Sequence, residues 1–238
     1  MLNVLKSFVN AFSAYSCIPL PYYEDEGDRY RLAFVPLVGA VIYWISYGWF
    51  LLGWYRRFND VAVSFGIILI AAIVTGGRHV LGFVAYVDDI PTYKYRFDSW
   101  SKSRDRGVLR FLVVMSIWFI AMLNTYDFYF RLVFLGFIFS RIFMGLLSSL
   151  FNEGANQSKA VIVLLIIEFC ILTYAGFNEY ELLMAGPILA TFITFLCYIN
   201  AFRRSTEEAL CLLEDDYIIT AETAWIFSVA IVCLIRSV

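Results

Sequence analysis

The chain has 238 residues, of which 61% are hydrophobic and 16% charged, and its mean hydropathy is +0.74. Soluble globular domains carry about 25% charged residues, so this balance excludes that class and predicts an integral membrane protein. The formal net charge of -2 supplies no basic field for a nucleic-acid partner.

Residues 1–23 place Leu5, Phe8, Val9 and Phe12 at helical spacing, interrupted by Asn3, Lys6 and Asn10. That pattern suits an interfacial or half-buried helix better than a full span. Pro19 and Pro21 end it, because each disfavours a helical residue before it. No long apolar core with a small-residue cleavage site follows, so no cleaved signal is expected.

A transmembrane helix needs about 20 apolar residues. Seven runs approach this, at 32–55, 61–84, 108–123, 128–151, 160–176, 182–200 and 217–235. Trp and Tyr near their ends suit rings at the headgroup level. The expected fold is all-α: a polytopic membrane helical bundle of about seven spanning helices plus the N-terminal helix. No fixed repeat or low-complexity linker divides it, so residues 1–238 are read as a single integral-membrane domain. The bilayer is its first partner, and a homo-oligomer or membrane assembly is a further expectation.

With this count the N-terminus and the loops at 86–107, before the fifth span and at 201–216 share one side. Eleven Lys and Arg fall there, including Lys6, Lys94, Lys102 and Arg203, against four opposite: Arg56, Arg57, Arg131 and Arg236. The positive-inside rule makes the richer side cytoplasmic, which predicts a multi-pass protein of the cytoplasmic (inner) membrane.

The stretch TGGRHVLGFVAYVDD (75–89) sets Arg78, His79, Asp88 and Asp89 at the end of an apolar run. Ionisable groups at such depth are costly and mark sites. Leu81, Ala85 and Asp88 would share one helix face, and three carboxylates at that spacing would hold a divalent cation; only the last is acidic. The five cysteines are scattered without metal-ligand spacing and read as packing residues.

The stretches SFVNAFSAYSCIPLPYY (7–23), RLAFVPLVGAVI (31–42) and TGGRHVLG (75–82) resemble the cobalamin synthase family, the adenosylcobinamide-GDP ribazoletransferases. In that family Thr-Gly-Gly-x-His leads into an Asp-Gly-x-x-Asp-x-x-Asp motif associated with magnesium. Thr75, Gly76, Gly77, His79, Gly82 and Asp88 match it, whereas Leu81 and Ala85 replace the first two acids. A later Asp-Ser-Arg-like run matches SKSRDRG (101–107) in either of two registers, through Arg104 or Arg106. A late Thr-Gly-Asp matches Thr220, Ala221 and Glu222.

The resemblance implies transfer of α-ribazole, or its 5′-phosphate, onto adenosylcobinamide-GDP with release of GMP. It implies Mg²⁺ held by Asp88, Asp89 and Glu222, with Asp88 and His79 in catalysis. Phosphate or substrate contacts would come from Thr75, Gly76, Gly77, Arg104, Arg106 and Thr220. Loss of the two motif acids equally suits a catalytically impaired homologue that serves as a membrane binding or assembly subunit.

Taken alone, the residues keep plainer readings open. His79, the chain's one histidine, reads either as a structural hydrogen-bonding group or as a catalyst. Asp88 and Asp89 suit a helix end, Gly76 and Gly77 close helix packing, and the basic run an anionic-lipid contact. Glu222, inside a span, requires a partner such as Arg141, Arg110 or Arg78, and Glu168 raises the same demand. Arg78, His79 and Glu222 would also suit a transporter's polar pathway, although no inverted repeat is evident.

Overall fold

The computed structural model describes residues 2–23, 30–89, 106–125, 129–151, 159–205 and 207–236, and every regular element among them is helical. These are α1 (Leu2–Tyr15), α2 (Arg31–Arg56), α3 (Asp60–Val74), α4 (Arg78–Asp89), α5 (Arg106–Leu123), α6 (Phe130–Phe151), α7 (Lys159–Tyr180), α8 (Ala185–Arg204) and α9 (Glu207–Arg236). A 3-10 turn, Glu181–Met184, joins α7 to α8.

The sequence of α6 is apolar around its whole circumference, and such a helix belongs inside. It is buried along nearly its full length, with α2, α7, α8 and α9 around it. Small residues allow that crowding. A Cβ on Gly39 of α2 would sit 2.2 Å from the Phe137 carbonyl oxygen, so α2 and α6 meet backbone to backbone. The Trp225 indole of α9 lies over Gly136, stacks on Phe139 at 4.8 Å and donates its N–H to the Leu132 carbonyl at 2.7 Å.

The apolar run 61–84 is not one helix. It breaks at residues 75–77, where α3 and α4 meet at 86°. Gly76 and Gly77 carry φ of 62° and 72°, a left-handed pair that no helix continues through and that glycine alone adopts cheaply. The Thr75 hydroxyl donates to the Ala71 and Ala72 carbonyls, which also accept the Thr75 and Gly77 amides at the end of α3. The Cys17 amide donates to the Val74 carbonyl at 2.8 Å, which ties the bend to the segment after α1.

A second reversal separates α7 from α8. Phe143 of α6 packs against Phe169 of α7 at 5.3 Å and Phe195 of α8 at 5.5 Å. A straight helix would hold those two positions about 39 Å apart. The chain therefore turns back at Glu181, whose φ is 51°.

Among the described residues, four helical stretches are long and apolar enough to cross a membrane: Arg31–Arg56, Phe130–Phe151, Lys159–Arg204 and Ala209–Arg236. The bent pair makes a fifth, and the apolar part of α5, Gly107–Leu123, is shorter. The protein is a multi-pass, all-α membrane bundle.

One end of the bundle gathers α1, the bend and the start of α9, since Tyr15 and Ser148 both reach Glu214 and Arg78 reaches Cys211. The other gathers the ends of α2, α7 and α9 with the start of α6, through Arg131 with Tyr47 and Glu179 and Arg236 with Tyr129. α1 is half-buried: Ser7, Asn10, Ala11 and Tyr15 point inward while Val4 and Leu5 are exposed. Asn10, an interruption in the sequence pattern, clamps the Tyr23 backbone with both ends of its amide.

Candidate functional site

The last helix starts ten residues before the apolar run 217–235 does, at Glu207. Residues 207–216, expected to be part of a loop, are helical, and Glu214, Asp215 and Asp216 are 3%, 3% and 1% exposed. Three consecutive helical residues point about 100° apart. Each carboxylate consequently meets a different wall of the bundle and finds its own partners there.

Glu214 accepts hydrogen bonds from the Tyr15 hydroxyl at 2.7 Å and the Ser148 hydroxyl at 2.6 Å. Burial, and then the Glu214 charge, push the Tyr15 phenol well above its ordinary range, so it stays a donor. Asp216 pairs with Arg110 at 2.6 Å and accepts a short bond from the Tyr198 hydroxyl. The Arg110 guanidinium also lies 4.3 Å from the centre of the Phe83 ring.

Asp215 faces α4. Its Oδ1 lies 2.5 Å from His79 Nδ1, and Arg78 Nε is 3.8 Å from its Oδ2. This approach depends on Gly82, because a Cβ there would sit 2.1 Å from Asp215 Oδ2. The guanidinium of Arg78 donates to the Ala14 carbonyl and lies 5.1 Å from the centre of the Tyr15 ring. The bend delivers Arg78 and His79 to α9 as the first two residues of α4.

Farther along α9, Glu222 has the partner its depth requires. Arg141 of α6 donates to Glu222 Oε1 at 2.6 Å and to the Phe137 carbonyl at 2.7 Å, while Ser140 donates to the same Oε1 at 3.2 Å. Thr220 lies beside Tyr198 at 3.1 Å and Arg110 at 3.5 Å. Glu168, in α7, keeps a buried Oε2 without a hydrogen-bond partner.

The sequence-derived candidates are thus only partly united. Thr75, His79 and Glu222 line one cavity, together with Arg141. Gly76 and Gly77 form the bend itself. Asp88 and Asp89 close α4, and Arg106 opens α5, but their side chains lie outside the described residues, as does the whole of Arg104.

Leu81 is 68% exposed and stands about two residues' rotation from His79, on the far side of α4 from Asp215. Among the described residues, no three His, Cys, Asp or Glu side chains are grouped to hold a metal ion. Glu222 Oε1 is already engaged by Arg141 and Ser140, and Leu81 and Ala85 have no ligating atom. Of the expected magnesium set only Glu222 has a described side chain.

Sequence reading missed Glu214, Asp215 and Asp216, because hydropathy stops at a run of acids even where the helix continues. A signal for them exists. Arg78, Arg110 and His79 all sit within apolar runs and demand acceptors, and a run of three acids before the last span answers that demand.

No family model and no solved structure matches the chain. Among curated proteins it is 25% identical over 218 residues to the adenosylcobinamide-GDP ribazoletransferase of Lachnoclostridium phytofermentans, covering 82% of this chain and 81% of that one. Two enzymes of the same name from Clostridium botulinum, strains Alaska E43 and Eklund 17B, are each 24% identical, across 83% and 72% of this chain and 88% and 77% of their own lengths. Over most of its length the chain is thus similar, at about a quarter identity, to adenosylcobinamide-GDP ribazoletransferases.

Proposed function

We propose that this protein joins α-ribazole, or its 5′-phosphate, to adenosylcobinamide-GDP with release of GMP, in the last steps of cobalamin biosynthesis. Its site would face the cytoplasm from the inner membrane, on the side where the bend, α1 and the start of α9 meet. The observation that carries this reading is the buried His79–Asp215 pair, set by the Thr75–Gly77 bend of the motif that resembles the family.

In such a transfer a substrate oxygen attacks the activated phosphorus as the bond to the GMP oxygen breaks. When the attacking group is a hydroxyl, its proton needs an acceptor, and His79 Nε2 is suited to take it. Arg78 and Arg110, each about one-third exposed, are the cations that would steady phosphate charge beside the pair. Magnesium would neutralise a pyrophosphate when bound. With Glu222 paired to Arg141, only Asp88 and Asp89 remain of its expected ligands, and no step is derived through it.

Exposed, apolar Leu81 and the engaged Glu222 favour a second reading, the impaired homologue acting as a binding or assembly subunit. Purified protein separates the two when GMP release from adenosylcobinamide-GDP and α-ribazole is followed with and without magnesium. The transferase reading expects turnover that falls by about 10²-fold or more in His79→Ala and is lost in Asp88→Ala. Substrate binding without turnover, with activity gained only in Leu81→Asp/Ala85→Asp, would establish the impaired homologue instead.

A further inference from the structure

Between α3, α4, α5, α6 and α9 lies a cavity of about 520 Å³, within the range of small-molecule sites. Its wall is apolar, built from Phe65, Ile68, Leu69, Phe111, Met115 and Phe119. Phe65 and Leu69 on α3 and Leu112 on α5 are 42–56% exposed, so the cavity opens sideways between these two helices, on a face that meets lipid. Its polar groups are few: Thr75, His79, the Arg141–Glu222 pair, and Ser116 and Trp118, whose hydroxyl and indole N–H donate to the Leu112 carbonyl and the Thr223 hydroxyl.

His79 is 4% exposed, and its Nε2 has no hydrogen-bond partner. Buried polar atoms in native proteins are nearly always partnered, and an orphan costs stability. Asp215 decides what that nitrogen wants. A carboxylate accepts, so the imidazole proton is drawn to Nδ1 and Nε2 is left with its lone pair. The Thr75 hydroxyl donates to its own helix, and Glu222 Oε1 is taken up by Arg141 and Ser140. A cation in the cavity would meet Arg141 and an anion would meet Glu222. A neutral donor on an apolar body meets neither obstacle.

We propose that this cavity binds an apolar molecule bearing a hydroxyl group, which enters from the lipid side between α3 and α5 and donates its O–H to His79 Nε2. Asp215 is the positioning residue, holding the imidazole in the accepting tautomer. The inference shares His79 with the transferase reading but does not rest on it. Its test reads binding at the imidazole rather than turnover, so either can fail alone.

Because His79 is the chain's only histidine, ¹⁵N-histidine labelling of the full-length protein in lipid nanodiscs reports on this ring alone. Without ligand, the spectrum is expected to show the neutral tautomer protonated at Nδ1. Decanol, phenylethanol from the aqueous side and diacylglycerol within the nanodisc are titrated separately, with decane as the control. A saturable shift of the Nε2 resonance is expected with at least one alcohol and not with decane; which alcohol acts distinguishes a lipid source from a soluble one.

Two variants address the cavity: Leu69→Trp blocks its exposed rim and Ala72→Phe fills its wall. Each should abolish the shift while the Nδ1 resonance keeps its position, and either suffices if the other fails to fold. Asp215→Asn, which frees the tautomer, should weaken the response about tenfold. A ring protonated at Nε2 without ligand, no saturable response to any alcohol, an equal response to decane, or a wild-type response in a folded cavity variant would each overturn the proposal.

Discussion

At the scale of single residues, the interior of this protein is organised by carboxylates on α9, each answered by a named donor. The Arg141–Glu222 pair shows how much that answering matters. Removing one member of a buried ion pair strands the other charge and costs about 3–5 kcal/mol, whereas replacing both with apolar groups is often nearly neutral. Arg141→Leu should therefore lower the unfolding midpoint sharply, and Arg141→Leu with Glu222→Leu should recover most of the loss, as read by thermal unfolding in detergent. Glu168 is the opposite case, since nothing answers its Oε2. Glu168→Gln removes the need to hide a charge and should raise the midpoint by about 2–4 °C, the shift that 1 kcal/mol gives in a chain of this size. The need of Glu222 for a cation such as Arg141 is legible in the sequence from depth alone. The role of Asp215 is not, because it depends on α4 and α9 crossing at Gly82.

At the scale of elements, the described parts of the apolar runs are largely helical, with 61–84 split between α3 and α4, because apolar length is a signal that no tertiary context is needed to read. Directions and ends are less legible. Hydropathy cannot see that Gly76 and Gly77 turn α4 through 86°, and it stops short of a helix whose first turns carry buried acids. These two features build the candidate site, so the site was legible as a stretch of residues and not as a constellation. Gly77→Ala forces a side chain into a left-handed position and should cost about 1–2 kcal/mol while leaving room elsewhere, since nothing lies within 4 Å of its Cβ position. Gly82→Ala should separate α4 from Asp215, so its larger effect is on the His79 ring: the Nδ1 resonance should move even where the variant stays folded. If both alanine variants leave that resonance unchanged, the α4–α9 contact is not what orients the imidazole.

At the scale of the whole molecule, the uneven division of Lys and Arg among the segments between apolar runs makes a topological prediction. Single cysteines at Lys6 and at Arg56, placed in a background without the native five, should differ in reaction with an impermeant thiol reagent added to intact cells. Labelling at position 56 but not at position 6 is the expected result. The bend bears on the bilayer as well. α3 has 15 residues and α5 has 18, rises of about 22 and 27 Å, against about 33 Å for the 22 residues of α6 and a hydrocarbon core of about 30 Å. The two short helices stand side by side, so one flank of the bundle has a smaller hydrophobic thickness than its centre. Lipid against that flank must thin to match, and hydrophobic mismatch of this kind costs fractions of a kcal/mol per Å. Unfolding midpoints should accordingly be higher in bilayers of shorter saturated chains than in long-chain ones, with the optimum shifting toward longer chains when α3 is extended by one turn.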